Sequence, residues 1–206
     1  MFANPGIDMK FDWLDDNPTN SGPHYGFGCE RRSNSNYRWT INNWSNGSSI
    51  KGELFAGINA YSIGIASGSN FRIVVRRNKN SASYNIRCPN YIEIYKDNVL
   101  TSSKVMTNGR TETTPANYYN GNHFCLFGIE HSSGNTPHPT KNGFTGKVRL
   151  YYFKAYNYDS NGDPYIVCDL VPAKDKSTGR VGLWDNVRSV MRYSVSSSDL
   201  IAGPEA

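Results

Sequence analysis

A chain of 206 residues is long enough for one domain that buries roughly 70% of its unfolded surface, which suffices for a single two-sheet core. Only 19% of the residues are charged, while Gly, Asn, Ser and Tyr are abundant; this sets aside coiled coils and long amphipathic helices and favours short strands joined by turns. The net charge of +5 is spread in pairs such as Arg31-Arg32 and Arg76-Arg77, not gathered into a groove-reading motif, so specific nucleic-acid binding is not expected and a solvated surface or a polyanionic partner, an acidic glycan or a negative protein shell, is.

Alternating or short apolar runs predict strands over Lys10 to Leu14, Tyr25 to Glu30, Tyr37 to Ile41, Ser62 to Ile65, Phe71 to Arg76, Tyr91 to Tyr95, His123 to Ile129, Gly146 to Tyr156, Tyr165 to Val171 and Val181 to Trp184. Asp97-Asn98, between Ile94-Tyr95-Lys96 and Val99-Leu100, reads as a two-residue hairpin turn, because Asp and Asn tolerate the positive φ such a turn demands. Ser177-Thr178-Gly179 reads as a second turn. The segment Trp184 to Tyr193 is ambiguous between strand and a short helix. The polar stretches Ser33 to Asn36, Asn43 to Ser49 and Ser132 to Asn142 read as long exposed loops on one domain. Strands this numerous, without alternating helices, predict an all-β fold, a sandwich or a barrel.

Neither an apolar run near the roughly 18 residues of a membrane span nor a basic-then-apolar opening is present, so a soluble chain without its own export signal is expected. Cys29, Cys88, Cys125 and Cys168 lie far apart with no CxxC pair, which argues against zinc; three fall in apolar strand patterns and are expected to be small buried hydrophobes. Free thiols of that kind fit synthesis in a reducing cytoplasm. His24, His123, His131 and His138 have no partner at metal-ligand spacing. Asp159, Asn161 and Asp163 are the candidate ligands for a calcium ion, but the distal glutamate of an EF-hand is missing and a plain Asn-Gly turn competes.

The tail carries the strongest pattern. In order come Lys147-Val148-Arg149-Leu150-Tyr151-Tyr152-Phe153-Lys154-Ala155-Tyr156, then Ile166-Val167-Cys168-Asp169-Leu170-Val171-Pro172, then Gly179 to Val187 with Gly182-Leu183-Trp184-Asp185, then Ala202-Gly203-Pro204-Glu205. This succession resembles the concanavalin A-like, laminin-G-like jelly-roll domains of gut bacteria and their bacteriophages. The likeness continues more loosely through Phe27-Gly28-Cys29-Glu30-Arg31, Asn36 to Ile41, Ile94 to Asn98 and Leu126 to Ile129. The resemblance implies a two-sheet antiparallel jelly-roll β-sandwich over residues 1–206. It also implies that the usual first strand has diverged or is absent, leaving a sheet edge near the chain's start for assembly contacts.

Laminarinase-type members of that fold carry alternating acidic residues on one strand. Here Ile92-Glu93-Ile94-Tyr95-Lys96-Asp97 places Tyr95 and Asp97 on the face of Glu93 and lacks the second glutamate, so a glycoside hydrolase is the weakest expectation. Sugars are held by aromatic faces in polar company, and Trp44 with Asn43 and Asn46, and Tyr118-Tyr119, are the candidate carbohydrate-binding residues. Trp39 and Trp184 are expected in the core. Together with the resemblance, these residues lead to the expectation of a non-enzymatic bacteriophage virion-surface protein, a capsid decoration, head-fibre or tail component that holds bacterial or mucosal glycans. Its partners would be other virion proteins or copies of itself. The alternative is a carbohydrate-binding adhesin module of a bacterial surface or secreted protein.

Overall fold

The computed structural model describes residues 6–14, 22–31, 37–45, 50–57, 59–62, 70–76, 91–105, 125–126, 130–133, 136–138, 148–194 and 200–201. Among these the regular structure is strand, with no helix. Eight strands form one antiparallel sheet: β1 (Gly6–Trp13), β6 (Asn70–Arg76), β7 (Tyr91–Lys96), β8 (Val99–Val105), β12 (Val148–Tyr158), β13 (Pro164–Lys174), β14 (Val181–Asp185) and β15 (Val190–Arg192). Their lateral order is β15-β14-β13-β12-β1-β6-β7-β8.

The second set of paired strands comprises β2 (Gly22–Arg31), β3 (Tyr37–Ser45), β4 (Ile50–Gly57), β5 (Asn59–Ser62), β9 (Cys125–Leu126), β10 (Glu130–Ser133) and β11 (Thr136–His138). It runs β11-β10-β2-β3-β4-β5, with β10 parallel to β2 and with β9 antiparallel to β2 at Phe27 and Gly28.

In the eight-stranded sheet, alternation decides which side chains are buried. Ile7, Met9 and Phe11 of β1, Phe71, Ile73 and Val75 of β6, and Ile92 and Ile94 of β7 point to one face and are almost wholly shielded from water. Leu150, Phe153 and Ala155 of β12, Cys168 and Leu170 of β13 and Leu183 of β14 continue that face. Each buried Val, Leu, Ile, Met or Phe side chain here contributes about 1.5–3 kcal/mol by leaving water, so this face supplies the main stabilisation of the sheet. Leu126 of β9, from the second set of strands, packs against the same cluster, as does Leu200 near the C-terminal end.

Two turns have the geometry their residues foreshadow. Asp97 and Asn98 adopt φ of 50° and 65°, the left-handed pair that matches the twist of flanking strands, and close β7 onto β8. The second turn joins β13 to β14 around Asp175. Its Oδ1 accepts hydrogen bonds from the Ser177 N–H at 2.8 Å and the Ser177 hydroxyl at 2.7 Å, and Gly179 takes φ 72°. Tyr193 donates to Asp175 Oδ2 at 2.6 Å, tying the turn to the chain beyond β15. These bonds, that from Tyr193 first, hold the Asp175 carboxyl well below the usual carboxylate range.

Several expectations need correction. Asn43 to Ser49 is not one long loop: β3 continues to Ser45, and Asn43 and Trp44 pair with Gly52 and Lys51 of β4. Ser132 to Asn142 likewise contains β11, with His131 opposite His138 in the ladder. Polar residues occupy strand positions there because backbone pairing, not side-chain apolarity, closes the ladder. The ambiguous Trp184 to Tyr193 resolves into the end of β14, a turn and β15. Near the chain's start the sheet has no free edge, since β1 is paired on both sides, with β12 and with β6. Among the described residues the terminal strands of this sheet are β8 and β15.

Candidate functional site

The face opposite the core is built from the alternate residues of the same strands, and it is polar and rich in tyrosine. Asp8, Lys10 and Asp12 of β1 lie between Arg149, Tyr152 and Lys154 of β12 and Asn70, Arg72 and Val74 of β6. Beyond β6 come Tyr91, Glu93 and Tyr95 of β7.

A β-bulge sets the tyrosine pattern. Lys10 pairs with Tyr152 and Phe11 with Leu150, so Tyr151 is an extra residue between them. Leu150 and Phe153 both reach the core, three residues apart, and Tyr151 and Tyr152 both turn outward. Strict alternation would have sent one of the two tyrosines inside.

Three carboxylates organise this face. Asp8 accepts from Arg72 Nε at 3.0 Å and Nη2 at 2.7 Å, a two-pronged pair, and from the Tyr152 hydroxyl at 3.0 Å. Glu93 accepts from Arg76 Nη2 at 2.7 Å and from the Tyr95 hydroxyl at 3.2 Å. Asp12 accepts from Asn70 Nδ2 at 2.8 Å, from the Tyr151 hydroxyl at 2.7 Å and from Arg149 at 3.5 Å. Cations also lie over rings: Arg72 is 5.3 Å from the centroid of Tyr95 and Arg76 is 5.0 Å from that of Tyr91.

The electrostatic result is a set of strongly protonated groups. Burial first, then the neighbouring Asp8 charge and bond, push the Tyr152 phenol up to about 12. The bond to Asp12 followed by burial raises Tyr151, and burial followed by Glu93 raises Tyr95. The bond to Asp8 holds the Arg72 guanidinium above its ordinary value. At neutral pH these tyrosines are therefore hydrogen-bond donors and apolar plates, not bases or nucleophiles.

Asp8 and Glu93 share one cross-strand row with Val74 between them, each against its own arginine. On the core face, Cys168 is a free, buried thiol raised to about 11 by burial and then by the Asp185 charge, in keeping with the small-hydrophobe expectation for that cysteine.

Of the residues singled out from sequence, Asn43 and Trp44 lie on β3, opposite His24 and Pro23 of β2, within a ladder and not at a loop tip. Their side chains, and Asn46, Tyr118 and Tyr119 altogether, lie outside the described residues. Trp184, expected in the core, sits half-buried on the outer face, opposite Val171 and Met191, because Leu183 and Asp185 take the inward positions of β14.

Asp159 uses Oδ1 to accept the N–H groups of Asn161 at 2.8 Å and Asp163 at 2.9 Å, closing the β12–β13 turn with Gly162 at φ 78°. Among the described residues no group of three His, Cys, Asp or Glu side chains is placed to hold a metal ion.

The tyrosine face was missed by sequence reading. The signal for it lay in the adjacent Tyr151-Tyr152 between two core residues. No protein-family model, curated protein or solved structure matches the chain.

Proposed function

We propose that the chain is a two-sheet antiparallel sandwich of the concanavalin A-like kind, acting without catalysis as a bacteriophage virion-surface protein, a capsid decoration, head-fibre or tail component, that holds bacterial or mucosal glycans. The sandwich rests on the one-sided core of the eight-stranded sheet and on the packing of Leu126 from the other set of strands against it. The virion setting rests on the order of the four sequence blocks in the tail.

The observation that carries the binding role is the outer sheet face. Its tyrosines are fixed by carboxylates and arginines, which presents apolar rings beside hydrogen-bonding groups, the combination a pyranose needs. A ring that removes about 40 Å² of sugar surface from water gains only about 1 kcal/mol at about 25 cal/mol per Å². Many copies on one particle convert such weak sites into adhesion. The non-enzymatic reading is supported by Asp8 and Glu93, each facing an arginine, whereas a glycosidase keeps one carboxyl protonated in an apolar site.

Mass spectrometry of purified phage particles tests the proposal. A copy number comparable with capsid or tail subunits supports it. Recovery of the chain from bacterial envelopes instead transfers the binding role to an adhesin module, and release of reducing sugar from a β-glucan by the pure protein overturns both.

A further inference from the structure

We infer that the Tyr151 end of the outer sheet face is a subsite for a carboxylate-bearing pyranose, the acidic sugar unit of a polyanionic glycan. This deepens the glycan-binding reading above and depends on it.

Four features converge there. First, the bulge brings Tyr151 out of the sheet so far that it is 41% exposed, while Tyr91, Tyr95, Tyr152 and Tyr156 on the same face are half-buried. An exposed ring face of this kind is open to stacking by a sugar.

Second, the ring is already immobilised. Its hydroxyl is bonded to Asp12 Oδ2, and Asp12, itself buried, is steadied by Asn70 and Arg149. A ligand stacking on this plate loses little further side-chain entropy to the complex.

Third, two cations stand at the ring, one of them over its face. The Lys10 ammonium lies 5.6 Å from the Tyr151 centroid, with Asn98 Oδ1 taking one of its three protons at 3.1 Å. The Arg149 side chain, 41% exposed, meets the same Asp12 Oδ2 that the Tyr151 hydroxyl bonds. The nearby acids already have partners within the sheet and its turn. Both oxygens of Asp12 accept bonds within the sheet, and Asp97 Oδ1 takes the Asn70 N–H at 3.2 Å at the turn.

Fourth, the amides of Asn70 and Asn98 border the same spot and supply the donors and acceptors that equatorial hydroxyls require. A planar carboxylate matches the guanidinium fork of Arg149 and is attracted by Lys10, so the acid form of a sugar unit is favoured over its neutral ester.

The full chain is titrated by NMR and calorimetry with trigalacturonate and, as its neutral counterpart, with the fully methyl-esterified trimer. Trigalacturonate is expected to bind with a dissociation constant on the order of 1 mM, and the ester roughly tenfold more weakly. Tyr151→Ala should lose at least about tenfold in affinity, Arg149→Gln and Lys10→Gln about threefold to tenfold each, and Tyr165→Ala, a half-exposed aromatic on β13, nothing.

Equal binding of acid and ester, or wild-type affinity in a folded Tyr151→Ala protein, overturns the subsite. If Tyr151→Ala does not fold, the Lys10→Gln and Arg149→Gln pair decides in its place. A glycan array separates this failure from that of the parent reading. Neutral glycans retained equally by the wild type and by the Tyr151 variant remove the subsite but keep the binding role, and an array with no binding at all removes both.

Discussion

Asp8 and Asp185 stand on opposite faces of one sheet, and both are met by guanidinium groups. Asp8, on the outer face, takes both prongs of Arg72, whose side chain is 41% exposed. Asp185 lies on the core side, paired across the ladder with Leu170, and is only 1% exposed. It is ringed by Arg188 at 3.1 Å, Arg192 at 3.3 Å and the backbone N–H groups of Val187 at 3.2 Å and Arg188 at 3.3 Å.

The difference teaches where an ion pair carries structure. The arginines are similarly exposed in both pairs, but the Asp8 side chain keeps 14% of its surface in water against 1% for Asp185, so the Asp8 pair is one tile among several in the outer lattice. At Asp185 water is excluded, and the carboxylate anchors the turn through which β14 returns as β15. Arg188 adds a second task there. It also donates to the Val167 carbonyl at 3.0 Å, satisfying part of β13 that lies beyond its ladder with β14.

The contrast between faces predicts a graded response to substitution. The largest loss should follow from the core, where Phe71 and Phe11 stack with centroids 5.8 Å apart and neither is exposed. Phe71→Ala should cost about 3–5 kcal/mol in a urea melt, and a loss below about 1 kcal/mol would mean that the apolar face is not the core.

Next comes Asp185→Ala, expected to cost about 2–3 kcal/mol, because two turn N–H groups and two guanidinium groups lose their acceptor. The same residue should leave a mark in acid. Burial alone would raise its carboxyl, but the bonds from Arg188 and Arg192 and the two N–H groups prevail and hold it below the usual range. Its contribution is therefore complete above the unfolded carboxylate value of about 3.9 and is lost as pH falls through the lower, folded value. Comparing wild type with Asp185→Ala by denaturant melts between pH 6 and acid checks this: the two curves should converge only below that value.

Smaller still is Gly182→Ala, at about 1–3 kcal/mol. A Cβ on Gly182 would stand 2.6 Å from the Arg192 carbonyl oxygen and 3.0 Å from Met191 Cε, forcing β15 away from β14. Hydrogen exchange should report the change at β15 before it reports any at β1. A uniform increase across the sheet would show that the close approach is not local.

The smallest effect is expected at Arg72→Ala, below about 1 kcal/mol. Most of that effect should vanish in about 1 M salt, where screening is strong. An effect as large as that of Asp185→Ala would erase the distinction between the two faces.

Much of the fold was legible because its determinants are local. Alternating Phe71, Ile73 and Val75, or Ile92 and Ile94, need only the two-residue period of a strand to share a face, and Asp97-Asn98 needs only its own tolerance for positive φ, whereas the first strand, expected from Lys10 to Leu14, runs instead over Gly6–Trp13. The all-β character, most strands of the larger sheet and the turns at Asp97 and Ser177 could be read in this way.

The sequence by itself did not reveal partners distant along the chain. That β1 would lie between β6 and β12, or that β10 would run parallel to β2, depends on long-range pairing for which every strand offers the same backbone groups. The bulge at Tyr151 was hidden for the same reason. An extra residue becomes visible only once Lys10 and Phe11 have taken their partners, and only then do two adjacent tyrosines reach the same outer face. Trp184 was misplaced because apolar character signals burial only on average, and the register of β14 had already given the inward positions to Leu183 and Asp185. Local periodicity thus determined which segments are strands and where they turn. Register, a property of two segments at once, decided which side chains face the core and which are left to meet a ligand.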